Sequence, residues 1–258
     1  MGTVRTFSLG IKPQTQSPRR IYVYLPTGYE KSSRIYPVLY MFDGHNLFFD
    51  ETATFGKCWG IKDYLDSHNI PLVVIGQDCS HIDENRILEY CPYPNRTARW
   101  FPKGTVSGER TAEWFVKKLK PACEKRFRIH SDRDQVGIAG SSMGGLMSAY
   151  MISAYNDVYS RAACVSTTMD VCHRDIMDLI ENSSFLSNTR IYMDFGSNEV
   201  KSKKKFAEFV DHMLEMNHAF TEKGCHTFPN VVVNGWHSEA TWETIFPLFL
   251  EFLYPELF

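Results

Sequence analysis

Short apolar runs alternate with longer amphipathic segments along most of this 258-residue chain. The run VLYMF at residues 38–42, for example, contains only aliphatic, aromatic and β-branched side chains. Runs of this kind are typical of strands that are covered on both faces of a sheet. The same pattern predicts further strands at residues 20–25, 72–75, 136–139, 162–165, 191–195 and 231–233.

Between these strands, apolar residues recur at the spacing of one helix face. This pattern predicts helices at residues 111–127, 145–155, 206–220 and 239–253. Alternating strands and helices predict an α/β fold, a mostly parallel sheet with helices on both faces. The length is compatible with a single domain over residues 1–258. Residues 82–108 are rich in Pro, Gly, Asn and Arg and show no period, so we expect a functional excursion there, either a lid or an interface.

The segment GSSMGG at residues 140–145 contains the pattern G-x-S-x-G centred on Ser142. It directly follows a predicted strand and directly precedes a predicted helix, which is the context of a nucleophile elbow. A sharp turn of this kind strains the serine backbone, and side chains beside it would collide with the neighbouring strand and helix. We therefore predict that Ser142 is a nucleophile. The alternatives are a plain glycine-rich turn, or Ser141, which lacks a glycine two residues before it because Ala139 stands there.

A serine hydroxyl needs a base to accept its proton near neutral pH. His237 lies in the loop between the last predicted strand and the last predicted helix, where this fold class carries its base. An ordinary loop histidine is the alternative. We expect the acid that orients this base in the loop GSNE, at Glu199. Asp194 is the alternative acid, but its place inside a predicted strand points it at a face of the sheet.

A tetrahedral intermediate requires backbone N–H donors for its oxyanion. Met143, next to the predicted nucleophile, supplies one candidate, and the loop DGHNL after residues 38–42 supplies the other. We favour the N–H group of His45, with Gly44 and Asn46 as alternatives, and an ordinary glycine turn also stays open. The candidates for contact with a substrate are Asn46, Trp59, His81, Trp100 and Trp242, although core packing explains the tryptophans equally well.

Several stretches of the chain resemble one esterase family. They read YPVLYMFDGHNLF, RILEYCPYP, LKPACEKRFRIHSDRDQVGIAGSSMGGLMSAY, MDFGSNEV and GWHSEATW, and they span most of the chain from Ile35 onward. The family that they resemble includes esterase D, the feruloyl and acetyl xylan esterases of carbohydrate esterase family 1, and enterochelin esterase. The resemblance implies an α/β-hydrolase fold and a triad of Ser142, Glu199 and His237, with Glu199 standing where Asp is common.

The resemblance also implies a serine esterase that forms an acyl-enzyme intermediate without a metal or an organic cofactor. It leaves the ester open among acetyl or feruloyl groups on carbohydrate, siderophore esters and thioesters such as S-formylglutathione. Acyl transfer, peptide hydrolysis and a catalytically silent binding module of the same fold are the alternatives. The intact set of serine, acid and histidine argues against the silent module.

Composition restricts the partners and the compartment that we expect. The formal net charge of −2 gives no strong field for nucleic acid or an anionic membrane. The seven cysteines are odd in number and scattered, which argues against a disulfide framework or a zinc ribbon. No apolar segment opens the chain as a secretion signal would. We therefore expect a cytoplasmic protein that binds a small-molecule or carbohydrate-linked ester, and a homo-oligomer stays open.

Overall fold

Eight strands form one mixed sheet in a computed structural model that describes residues 1–11, 18–94 and 98–258. The strands are β1 Thr3–Leu9, β2 Arg19–Leu25, β3 Val38–Met41, β4 Val73–Gln77, β5 Val136–Ser141, β6 Arg161–Val165, β7 Arg190–Gly196 and β8 His226–Val232. Their order across the sheet is β1-β2-β4-β3-β5-β6-β7-β8. Strand β2 is antiparallel to both of its neighbours, and all other neighbouring strands are parallel. The predicted mostly parallel sheet is confirmed.

The two edge strands are the parts of the sheet that the sequence predicted poorly. Strand β1 was not predicted, and β8 begins five residues before the predicted range 231–233. Both edge strands consist mainly of half-buried and exposed residues, so neither reads as an apolar run. Pro229 within β8 lacks a backbone N–H, and an edge strand tolerates this.

Eight α-helical segments accompany the strands in the described part of the chain. They are α1 Ile61–Ser67, α2 Asn85–Glu89, α3 Gly108–Trp114, α4 Lys120–Glu124, α5 Met143–Ala154, α6 His173–Asn182, α7 Lys203–Glu222 and α8 Glu239–Leu253. Three of the four predicted helices are confirmed as α5, α7 and α8. The fourth is divided, because a π-helical turn over Phe115–Leu119 joins α3 to α4. Pro121 in the first turn of α4 has no N–H to donate backwards, which is a common cause of such a break.

Helices cover both faces of the sheet, as predicted. Successive residues of β3 show the arrangement: Val38 and Tyr40 join one buried cluster, and Leu39 and Met41 join the other. This alternation follows from the two-residue period of a strand. Helices α3 to α7 pack in the first cluster, and α1 and α8 pack in the second. Within the described ranges, no helix is long and apolar enough to cross a membrane.

The excursion predicted at residues 82–108 is attached to the sheet at its beginning. Helix α2 lies there, and its Glu89 pairs with Arg19 on β2. Residues 95–97 of the excursion lie outside the described residues. Because the carboxyl ends of the parallel strands meet at one rim, the loops that follow β3, β4, β5, β6 and β7 come together there.

Candidate active site

Ser142 occupies the sharp turn between β5 and α5. Its backbone has φ 60° and ψ −122°, a conformation that L residues rarely adopt. Its N–H donates to Val165 O over 2.9 Å, and its carbonyl accepts from the N–H groups of Leu146 and Thr168. These three bonds hold the strained turn, so the elbow geometry predicted from the sequence is present.

Small residues beside Ser142 are required by close backbone contacts. A Cβ atom on Gly140 would lie 2.7 Å from the carbonyl carbon of Gly144. One on Gly145 would lie 2.6 Å from the carbonyl oxygen of Val165. Both contacts are with backbone atoms, which cannot rotate away as a side chain can. The predicted collisions are therefore confirmed at both positions.

His237 and Glu199 are in direct contact at the rim. The His237 Nδ1 atom lies 2.6 Å from Glu199 Oε2. A carboxylate only accepts, so Nδ1 carries the proton and Nε2 is left as the basic nitrogen. The Glu199 side chain is only 2% exposed. Its Oε1 accepts from the Ser166 hydroxyl over 2.7 Å and from the Gly196 N–H over 2.6 Å.

The alternative acid, Asp194, has other partners. Its carboxylate is buried and accepts from the Ser166 N–H over 2.8 Å and from the Tyr192 hydroxyl over 2.9 Å. Burial, the largest influence, raises the pKa of Asp194 to about 7. The strand direction therefore aims Asp194 into the sheet packing, as the sequence indicated, and Glu199 is the acid that contacts His237.

Ser142 and His237 line the same cleft, which has a volume of about 400 Å³. Among the described residues, the hydroxyl of Ser142 bonds to Thr168 Oγ1 at 3.2 Å, and it makes no hydrogen bond with His237. Hydrogen bonds of this kind often tighten only when a substrate is bound. Glu199 thus contacts His237, and the side chains of His237 and Ser142 line one cavity.

The candidate backbone N–H donors for an oxyanion lie in two segments next to residues that line this cleft. Met143 is the first residue of α5, where helical N–H groups have no partner within the helix. After β3, the segment Gly44–Asn46 forms a short 3₁₀ turn. The N–H of Asn46 already donates to Asp43 O over 2.9 Å, so Asn46 is excluded as a backbone donor for an oxyanion. Gly44 and His45 stay as the candidates.

Three of the five candidate substrate contacts are lining residues, namely Asn46, His81 and Trp242. Trp242 is only 5% exposed, and its Nε1 donates to the Ser166 hydroxyl over 2.9 Å. Trp59 lies in the core, which is the alternative that the sequence left open. Its ring is 2% exposed and packs 5.4 Å from the Trp242 ring in the core between the sheet, α1 and α8. Trp100 lines a separate groove beside Asp170.

The sequence did not identify an ion pair at the edge of the cleft. Asp43, which has a left-handed φ of 56°, accepts from Arg86 Nε over 2.8 Å and from Arg86 Nη2 over 2.7 Å. Arg86 belongs to α2, so this pair ties the excursion to the turn after β3. The stretch RILEYCPYP was informative for the family resemblance, but nothing in its spacing indicated a partner 43 residues away.

The chain matches a family model over residues 13–252, and the description of that family is "Putative esterase". It is 26% identical over 214 residues to the uncharacterized protein YbbA of Bacillus subtilis. The aligned residues cover 80% of this chain and 79% of YbbA. An esterase of Mycobacterium tuberculosis is 28% identical over 146 residues, which is 55% of this chain and 28% of that protein.

Solved structures share the whole fold. An IroE-like serine hydrolase from Shewanella oneidensis superposes with a TM-score of 0.73 at 17% identity, covering 99% of this chain and 80% of the other. A ferulic acid esterase superposes with a TM-score of 0.69 at 18% identity over 100% of both chains. The predicted α/β-hydrolase fold is thereby confirmed. Since the family model covers most of its length, the chain belongs to this esterase family and is a carboxylic ester hydrolase.

Proposed function

We propose that the protein hydrolyses esters in two steps through an acyl-enzyme at Ser142, with His237 as general base and Glu199 as the acid that orients it. The observation that carries this proposal is the 2.6 Å contact between Glu199 Oε2 and His237 Nδ1. That contact lies on the same cleft as a serine in a strained strand-to-helix turn. A base held in one tautomer beside a nucleophile is the arrangement that acyl transfer requires.

In the first step, His237 Nε2 accepts the proton of the Ser142 hydroxyl, and the Ser142 oxygen attacks the ester carbonyl. The N–H groups of Met143 and of Gly44 or His45 receive the resulting oxyanion. The imidazolium then gives its proton to the departing alcohol as the bond between carbonyl carbon and alcohol oxygen breaks. In the second step, water takes the place of the alcohol, and the carboxylic acid is released.

Glu199 supports both steps from a protected position. Its carboxylate is held by the Ser166 hydroxyl and the Gly196 N–H in addition to His237. A carboxylate with three donors keeps its orientation while the charge on the imidazole changes. In this low-dielectric setting the negative charge stabilises the imidazolium that forms during each proton transfer.

For the substrate, we propose an acetyl or feruloyl ester whose alcohol is a carbohydrate. The polar lining of the cleft supports this choice, because a neutral sugar presents hydroxyl groups that can pair with it. The polar lining residues outside the proposed triad include Asn46, Thr54, Ser80, His81, Asp83 and Glu239. The likeness to a ferulic acid esterase is a second support. We also propose a cytoplasmic location, which the seven free, buried cysteines support.

The proposal is tested by replacing the nucleophile. Ser142→Ala should lower kcat for p-nitrophenyl acetate on the order of 10⁴-fold or more while the protein stays folded. Ser141→Ala, which changes the adjacent serine, should keep kcat within a few-fold. A fluorophosphonate probe should label the wild type and not Ser142→Ala. Undiminished turnover by Ser142→Ala would rule out the assignment, and an unlabelled, inactive wild type would favour the silent binding module.

The acid and the substrate class need their own comparison. Glu199→Gln should lose about 10³- to 10⁴-fold in kcat, whereas Asp194→Asn should stay far closer to the wild type. Impairment of the second variant alone would contradict the choice of acid. A panel of feruloyl and acetyl xylo-oligosaccharides and S-formylglutathione then ranks the substrates by kcat/KM. A thioester that exceeds both carbohydrate esters would replace the proposed substrate class.

A further inference from the structure

Four side chains with metal-binding atoms meet beside the turn that follows β3. They are His45, Asp78, Cys79 and His81, and their ligand atoms all lie within 4.8 Å of one another. His45 Nδ1 is 2.7 Å from Asp78 Oδ1, and His81 Nε2 is 2.9 Å from the same oxygen. In the part of the chain that the structure describes, no other group of three or more such residues is this close.

We propose that these four residues bind one divalent metal ion of the zinc type, at the edge of the cleft that Ser142 and His237 line. Two imidazoles, a carboxylate and a thiolate form a donor set that Zn²⁺ accepts with tetrahedral geometry. With metal–ligand bonds of about 2.0–2.3 Å, ligand atoms in a tetrahedral site lie roughly 3.3–3.8 Å apart. The ligand atoms of the cluster are 2.7 Å apart in one pair and within 4.8 Å of one another in all pairs, so their separations bracket that range.

The orientation of His45 supports the site. Its side chain is 6% exposed, and its Nε2 atom lies 2.9 Å from Thr54 Oγ1. A metal-bound imidazole commonly has its second nitrogen held by a polar neighbour in this way. The buried Nδ1 faces the cluster and lies 2.7 Å from Asp78 Oδ1, but at an angle outside hydrogen-bond geometry. A bound cation would satisfy this buried nitrogen, which the poorly aligned carboxylate does not fully do.

The ligands are also anchored and accessible. Asp78 and Cys79 directly follow β4, and the N–H of Asp78 donates to Arg20 O over 3.0 Å. The Asp78 side chain is 13% exposed and Cys79 is 4% exposed, so the inner part of the site is largely buried. His81 has a side chain that is 58% exposed, which leaves a path for an ion to enter from solvent.

Cys79 distinguishes a metal site from a simple hydrogen-bond cluster. Two imidazoles that share a carboxylate oxygen would explain the contacts of Asp78 without any metal. That arrangement gives no role to the thiol, which lies within reach of the same atoms. A thiol near a bound cation loses its proton and becomes a strong ligand. Participation of Cys79 is therefore the feature that an experiment should test.

The first experiment measures metal binding with the full chain after treatment with a chelator. Titration with Zn²⁺ alone should give one tight site per chain. His81→Ala, at an exposed position, should weaken this affinity by about 10- to 100-fold or more. The matched control His68→Ala removes an exposed histidine elsewhere and should bind like the wild type. Absence of a stoichiometric site, or equal affinity in His81→Ala and the wild type, would overturn the proposal.

The second experiment asks whether the thiol is a ligand. Co²⁺ bound to the wild type should give a thiolate charge-transfer band, which Cys79→Ser should lose and Cys225→Ser should keep. A spectrum that does not change with Cys79→Ser would overturn the four-ligand assignment. Ser142→Ala should bind Zn²⁺ as tightly as the wild type. The outcome is therefore independent of whether the proposed hydrolytic mechanism holds.

Discussion

Gly44 belongs to the proposed oxyanion loop, and its backbone contacts the backbone of Gly76 on β4. A Cβ atom on Gly44 would lie 2.5 Å from the carbonyl carbon and oxygen of Gly76 on β4. A Cβ atom on Gly76 would lie 2.6 Å from Gly44 Cα. Backbone atoms inside a sheet cannot give way to such a contact without moving the strand. The contact therefore fixes the height of the loop above the sheet.

We predict that Gly44→Ala lowers the free energy of unfolding by about 1–3 kcal/mol, because the added methyl group overpacks two backbones. Because the loop must also shift, kcat should fall. Gly10→Ala is the matched control, since a Cβ there has no atom of the described residues within 4 Å. The control should change stability by no more than about 0.5 kcal/mol. Urea unfolding measures the stability of both variants, and equal free energies of unfolding for Gly44→Ala and Gly10→Ala would contradict the packing argument.

Single residues differed in how far the sequence could assign them. Ser142, Glu199 and His237 could be predicted as candidates because a motif, or a place after a given strand, indicates each. Thr168 and Ser166 could not, because their contacts depend on folding that brings separate loops together. For Trp59 the sequence left both the substrate site and the core open, since it does not distinguish a ring that lines a cleft from one in the core, and the structure places this ring in the core.

At the scale of secondary-structure elements, the hydroxyl group of Ser166 connects two loops and a helix. Ser166 follows β6, Glu199 lies between β7 and α7, and Trp242 lies on α8. The Ser166 hydroxyl donates to Glu199 Oε1 over 2.7 Å and accepts from Trp242 Nε1 over 2.9 Å. Two loops and a helix are thus held together around the carboxylate that contacts His237.

We predict that Ser166→Ala lowers the free energy of unfolding by about 1–3 kcal/mol, because the buried Trp242 N–H loses its acceptor. Glu199 also loses one of its donors, so kcat should fall several-fold while KM changes little. Ser153→Ala is the control, since among the described residues its hydroxyl bonds only to Ala149 O within α5. Steady-state kinetics with p-nitrophenyl acetate separates the two variants. Similar kcat values would show that Ser166 positions nothing.

Helices and strands could be predicted from the sequence where a buried face requires a long periodic pattern of apolar residues. The limits of α8 agree with the sequence over Glu239–Leu253, because its apolar face is complete. Helices α1 and α6 were missed, and each buries only two side chains. Short helices like these are marginal in isolation and depend on tertiary packing. The edge strand β1 was missed for the same reason, because pairing with β2, and not its own composition, makes it a strand.

At the scale of the whole molecule, the formal net charge calculated from the sequence does not include the effect of burial on pKa values. The formal net charge of −2 treats every carboxyl group as ionised. Asp194 departs from this rule, because burial raises its pKa to about 7, although the Ser166 N–H and the Tyr192 hydroxyl partly oppose the rise. Burial is a property of the folded state, so no sequence pattern could reveal it. The single-domain organisation stays a prediction.

This buried carboxyl group links the stability of the whole fold to pH. The pKa of Asp194 is about 7 in the folded chain, above its ordinary value of 3.8. Between these values the folded state holds a proton that the unfolded state has released. The stabilisation from that proton is complete below about pH 4, and it is lost as the pH rises through about 7. The free energy of unfolding should therefore decrease over this interval, by up to about 1.4 kcal/mol per pH unit from this group.

We predict that Asp194→Asn flattens this dependence, because an amide keeps an acceptor for the Ser166 N–H but has no proton to release. Urea unfolding at several pH values between about 4 and 7 measures the slope of the wild type and of the variant. The stability difference between the two proteins should change steadily across the interval, with the wild type losing relative stability as the pH rises. Asp157→Asn, at an exposed position, should give a curve parallel to that of the wild type. If the curve of Asp194→Asn is parallel as well, Asp194 is ionised in the folded protein throughout, and the proton linkage assigned to it is absent.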